Sequence, residues 1–107
     1  DMREAPALVL IDKLLESGMT VKVYDPIAMK ECKRRVGDKV IYATDMYDAV
    51  LDADALLVVT EWKEFRMPSW GVLKKTMKQP LVIDGRNIYD KNELQEIGVE
   101  YTCIGKL

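Results

Sequence analysis

The run Ala55-Leu56-Leu57-Val58-Val59 contains no polar residue, and it is bounded by Asp54 before it and Thr60-Glu61 after it. A strand with one wet face alternates apolar and polar side chains, so this run predicts a strand covered on both faces, inside a parallel sheet. Parallel strands cannot be joined by a tight hairpin and need crossover connections, usually helices. The rest of the chain should therefore alternate helix and strand.

The pattern along the chain has that alternation. Ala7, Leu10, Ile11 and Leu14, widened by Leu8 and Leu15, predict a helix over 6–16, with Pro6 in its first turn and Gly18 as its left-handed stop. A short β-branched strand over 21–24 ends at Asp25-Pro26, because proline offers the ladder no donor. A second helix places Met29, Cys32, Lys33 and Val36 on one face, closes at Gly37, and leads to a strand over 40–43. Thr44 and Asp45 are N-cap candidates for a third helix that buries Tyr47, Val50 and Leu51. Pro68 and Ser69 open a fourth, with Trp70, Leu73 and Met77 inward, and Pro80 separates it from a strand over 81–84. Asp90 and Glu93 form a capping box for the last helix, which runs to Ile97, stops at Gly98 and gives way to a strand over 99–104. The expected fold is α/β, a mainly parallel sheet with helices on both faces, in one domain over 1–107. The chain opens on Asp1-Met2-Arg3-Glu4, directly before a helix, whereas a βαβ crossover begins with a strand. The expectation is a fragment whose first strand lies upstream, weakly stable alone or recruiting pairing from another chain.

Composition narrows the chemistry. The chain has 107 residues and no histidine, which excludes Ser-His-Asp and Cys-His catalysis and histidine-ligated metals. Cys32 and Cys103 lack CxxC spacing and stand in no activating context, so both are expected as buried structural thiols in a reduced, cytoplasmic protein. No apolar run approaches the roughly 20 residues of a membrane span. With 16 basic against 18 acidic residues the net charge is -2, and the one basic cluster, Lys30, Lys33, Arg34 and Arg35, is diluted by Glu31, so neither nucleic acid nor a membrane is expected as a partner.

Ligands of open parallel sheets bind beyond the carboxyl ends of strands, near helix N-termini with unpaired backbone N–H groups. Arg86 sits at that edge after Gly85, and its planar guanidinium suits phosphate or sugar oxygens. The equal alternative is a local pair with Asp84 or Asp90 that holds the loop. Arg3, just before the first helix, is either a second anion contact or a frayed terminal charge. Asp25 occupies a position where dinucleotide folds place a ribose-binding carboxylate, but the glycine-rich turn that accompanies it is absent, which favours a helix cap. Trp62 and Phe65 fit packing better than base stacking, given the missing basic groove.

Five motifs in order carry a resemblance: Asp1-Met2-Arg3-Glu4-Ala5-Pro6; Val23-Tyr24-Asp25-Pro26; Asp54-Ala55-Leu56 leading to Thr60-Glu61-Trp62 and Phe65; Ile83-Asp84-Gly85-Arg86-Asn87; and Tyr101 before Ile104-Gly105. Together they resemble the C-terminal domain of the UDP-glucose/GDP-mannose dehydrogenase family, most of all its UDP-glucose 6-dehydrogenase branch. The resemblance implies a three-layer α/β/α sandwich with a Rossmann-like sheet of order 3-2-1-4-5, its central first strand absent here. It implies that the full enzymes oxidise a nucleotide-sugar's C6 alcohol to a carboxylate in two NAD-dependent steps, through a thiohemiacetal and a thioester on a cysteine. It further implies that an N-terminal domain holds NAD, that a central helical region forms the homodimer, and that this domain closes over the site. On the same grounds Arg86 binds the nucleotide-sugar and Arg3 reaches the cofactor.

Two readings of other classes remain: a flavodoxin-like small-ligand binding module, such as a phosphoacceptor receiver, whose acidic cluster is not visible here, and a purely structural assembly domain. The family's Gly-x-x-Cys-x-x-Lys nucleophile segment and the lysine segment before the Asp-x-Arg motif are missing, and neither Cys32 nor Cys103 stands in the nucleophile's context. The purified chain is therefore expected to leave NAD unreduced in the presence of UDP-glucose. Absorbance of NADH rising above contaminant level would overturn that expectation.

Overall fold

The computed structural model describes residues 5–60 and 63–103. The chain forms two compact units, 1–49 and 50–107.

In the first unit α1 (Ala5–Glu16) is followed by β1 (Lys22–Val23), α2 (Met29–Val36) and β2 (Ile41–Tyr42). Strands β1 and β2 pair in parallel, Lys22 opposite Ile41 and Val23 opposite Tyr42. The predicted stripe of α1 is the face that packs: Ala7 and Ile11 are buried, and Leu8 and Leu15 lie against a core of Ile11, Ala28, Cys32, Val36 and Val40. Helix α2 runs over the predicted residues and stops where Gly37 turns to φ 66. Cys32 and Val36 are buried there, whereas Lys33 is exposed and lays its ammonium 5.1 Å from the Tyr42 ring centroid. The basic cluster of this helix is the expected solvated face. Glu31 holds Arg34 and Arg35, each at 2.7 Å.

Between the strands of the two units, α3 (Met46–Val50) is shorter than its sequence pattern suggests. Val50 is buried as expected, but Leu51 lies beyond the helix end and is 47% exposed. The chain turns there through Asp52, at φ 58, so the helix ends before Leu51.

The second unit contains β3 (Leu56–Val58), α4 (Trp70–Thr76), β4 (Leu81–Asp84), α5 (Lys91–Glu96) and β5 (Glu100–Cys103). Its sheet is parallel with order β3-β4-β5, so β5 adds an outer strand beside β4. The mainly parallel, Rossmann-like α/β class is thereby that of the protein. The strand expected to be covered on both faces, β3, stands last in this sheet, and only Val58 in it is buried; Leu56 and Leu57 are half-buried because a terminal strand has a neighbour on one side. Ser69 caps α4 by accepting from the Val72 amide at 3.4 Å, and Asp90 caps α5 by accepting from the Glu93 amide at 3.0 Å. Helix α5 ends at Gly98 (φ 84), and the Lys74 ammonium donates to the Ile97 carbonyl at 2.6 Å, neutralising the helix's negative end. The core here is Val58, Val82, Tyr89, Leu94, Val99 and Tyr101.

Leu94 is the pin of α5 on that core, at 1% exposure. Leu94→Ala is expected to cost about 2–5 kcal/mol of unfolding free energy, as deletion of a buried leucine does elsewhere. Urea denaturation of the chain measures it, and a change below about 1 kcal/mol would mean that α5 is not anchored through this side chain.

Candidate functional site

The site is built at the carboxyl end of β4. Apolar Leu81-Val82-Ile83 carry the chain into the sheet, and Asp84 closes the strand with its carboxylate wholly buried. A buried charge is tolerable only when donors surround it. Asp84 has five: Oδ1 accepts from the amides of Arg86 (2.9 Å) and Asn87 (2.8 Å), and Oδ2 from those of Ile88 (2.8 Å) and Tyr89 (3.1 Å) and from the Tyr101 hydroxyl (2.8 Å). Gly85 donates to the Val58 carbonyl at 2.8 Å, tying the start of the turn to β3. The left-handed step is taken at Asn87 (φ 58), a residue type that tolerates it.

Burial pushes the Asp84 carboxyl up, but the hydrogen bonds from Arg86, Tyr101, Tyr89 and Ile88 together outweigh it and hold the group below the ordinary aspartate range. Tyr101 shifts the other way: burial raises its hydroxyl, and the bond to Asp84 and the carboxylate's charge raise it further. It stays protonated and can donate.

The second anchor of the turn is Tyr89. Its hydroxyl donates to the Phe65 carbonyl, its ring meets Trp70 edge-on at 5.1 Å, and its own carbonyl lies 3.3 Å from the Tyr101 hydroxyl. The segments after β3 and after β4 are thus joined through the backbone of half-buried Phe65.

Arg86 is exposed on this fixed turn, at the rim where the sequence places it. The loop is held through its backbone by Asp84. Arg3, Glu61, Trp62, Ile104 and Gly105 lie outside the described residues. Asp25 does not cap α2, whose N-cap is Ala28 without a side-chain bond; buried, it instead holds the turn ahead of that helix by accepting from the amides of Ile27 (2.8 Å) and Ala28 (2.9 Å). After β2, Asp45 accepts from the amides of Tyr47 (2.9 Å) and Asp48 (2.8 Å). The amides expected to face a ligand at these strand ends are therefore occupied by the chain's own carboxylates.

Cys32 is buried, and burial raises its thiol. Cys103 departs from expectation: it shares a strand face with Tyr101 but is the last residue of β5, where it is exposed, with Sγ 3.6 Å from the Asn87 side-chain oxygen. Among the described residues no group of three or more Cys, Asp or Glu could hold a metal ion. Nor is any described helix long and apolar enough to cross a membrane. The sequence offers Asp84 only as a strand end and Tyr101 only as part of a motif; the usable signal for Asp84 is an aspartate directly after an apolar strand and before Gly-Arg-Asn.

Residues 1–91 match the model of the UDP-glucose/GDP-mannose dehydrogenase family, UDP binding domain. The chain belongs to that family. Among curated proteins, this UDP-binding domain is 43% identical over 106 residues to UDP-glucose 6-dehydrogenase TuaD of Bacillus subtilis, covering 99% of the chain and 23% of the relative. It is 42% identical over 106 residues to the UDP-glucose 6-dehydrogenase of Rhizobium meliloti (99% and 24%) and 41% identical over 111 residues to that of Pseudomonas aeruginosa (99% and 24%). The UDP-binding domain thus spans about a quarter of the length of these relatives.

A carboxyl whose folded-state pKa is depressed stabilises the fold fully above its unfolded value, about 4, and loses that contribution as pH falls through the folded value. Asp84→Asn is expected to lower stability by about 2 kcal/mol at pH 7, since one accepting oxygen becomes a donor facing amides. Its stability should also fall less than the wild type's between neutral pH and about pH 3. Melting curves across that range test this, and parallel curves for the two proteins would refute it.

Proposed function

We propose that residues 1–107 form the nucleotide-sugar-binding C-terminal domain of an NAD-dependent UDP-glucose 6-dehydrogenase, which converts UDP-glucose to UDP-glucuronate, and that Arg86 binds the UDP portion. The observation that carries this reading is an exposed guanidinium on a turn whose backbone is fixed from within, in a domain of a UDP-binding family. A guanidinium presents parallel N–H donors that match the spacing of diphosphate oxygens and keeps its charge at every working pH.

This domain binds and orients; it supplies no nucleophile. The buried Cys32 thiol and the exposed Cys103 both lack the surroundings of an activated cysteine. NAD, when bound to the enzyme, accepts the hydride. No glycine-rich dinucleotide turn is present in this sequence, so the cofactor is held mainly by an N-terminal domain, with Arg3 reaching it from here. The partners of the domain are the N-terminal and central domains of the same enzyme, a cytoplasmic homodimer. Filled amides at Asp25, Asp45 and Asp84 support leaving anion contact to side chains, of which Arg86 is one.

In the dehydrogenase that carries this domain, Arg86→Ala is expected to raise the KM for UDP-glucose about 10- to 100-fold, the scale of one or two charge-assisted hydrogen bonds. Steady-state kinetics read this directly, and an unchanged KM would leave Arg86 a structural residue.

A further inference from the structure

We propose that Tyr101 and Asp84 are a pair of positioning residues for substrate binding: the hydroxyl-to-carboxylate bond between β5 and β4 sets the Arg86 turn in its binding geometry before the ligand arrives. This rests on the assignment of Arg86 to the nucleotide-sugar.

Gly85 and Tyr89 fix the two ends of the turn, and Asp84 binds the stretch between them. Arg86 and Asn87 are exposed, so apolar packing does not fix the two residues nearest the ligand. Their amides, and those of Ile88 and Tyr89, all converge on one carboxylate. The geometry of residues 86–89 therefore depends on the orientation of the Asp84 side chain. That orientation is set from the neighbouring strand. Val82 lies opposite Tyr101 in the register, which puts Tyr101 on the same face as Asp84, two residues further along β4. Its hydroxyl is 2.8 Å from Oδ2 and 3.3 Å from the Tyr89 carbonyl, so it touches both the residue that opens the turn and the one that ends it.

Packing alone does not require that hydroxyl. The Tyr101 ring is buried in the core, where phenylalanine would fill the same space. The hydroxyl's own contribution is to hold a carboxylate against rotation, and a turn held in one conformation binds without a further ordering cost.

The experiment compares Tyr101→Phe with Arg86→Ala and wild type in the dehydrogenase that carries this domain. Tyr101→Phe is expected to raise the KM for UDP-glucose roughly fivefold, while kcat stays within about twofold, as for loss of a contact that organises binding. If Arg86→Ala raises KM and Tyr101→Phe does not, the positioning role is wrong and the Arg86 assignment stands. If neither changes KM, the Arg86 assignment itself fails. A loss confined to kcat would also overturn the proposal. A second measurement needs no substitution: hydrogen exchange at the amides of 86–89 is expected to be slow in the free enzyme and little changed by UDP. Rapid exchange that becomes protected only on addition of UDP would show that the ligand, and not Tyr101, orders the turn.

Discussion

One buried carboxylate organises the second unit. Asp84 is fully enclosed, and an enclosed charge without partners costs more than a small domain can spare. Its partners are four amides of the following turn and a tyrosine hydroxyl from the next strand. The dependence is mutual, since those four amides sit between a strand and a helix where no ladder or helical acceptor reaches them. Carboxylate and turn each supply what the other lacks, and β5 is drawn into the arrangement through Tyr101. The chain of contacts then continues through Tyr89 to the Phe65 carbonyl, so that the rim after β3 and the rim after β4 share one support.

Asp25 and Asp45 repeat the device at smaller scale, each bridging two amides past the end of a strand. Parallel α/β sheets commonly leave such amides to grip a phosphate. Here they already hold anions that belong to the chain. A negatively charged ligand approaching any one of these strand ends meets filled amides, and the work of attracting it passes to cationic side chains.

Much of this was legible from residue order, because the relevant physics is local. Helix α2 begins and ends where its periodicity and Gly37 indicate, and Ser69, Asp90 and Gly98 mark their helix ends by chemistry that acts over three or four residues. Asp25 also bonds to its own following amides, but in the turn before α2, three residues short of the helix N-cap at Ala28. What was not legible is what strand pairing decides. The bond between Asp84 and Tyr101 spans 17 positions and exists because Val82 faces Tyr101 across the sheet, a register that no periodicity encodes. Cys103 is exposed because it closes β5, and the half-burial of Leu56 and Leu57 follows from the place of β3 in the strand order. Leu51 left its predicted face because a single left-handed residue, Asp52, cut the helix short.

The turn after β4 is held by groups that nearly every amino acid carries. Asp84 reads backbone N–H, and any residue other than proline offers one. Scaffold and contact are therefore written in different parts of the same residues: the main chain of 86 and 87 belongs to the fold, while their side chains stand at its exposed surface. Such a division makes the rim modular, so that a lineage, or a designer, can exchange the side chain that greets the ligand and keep the platform that presents it.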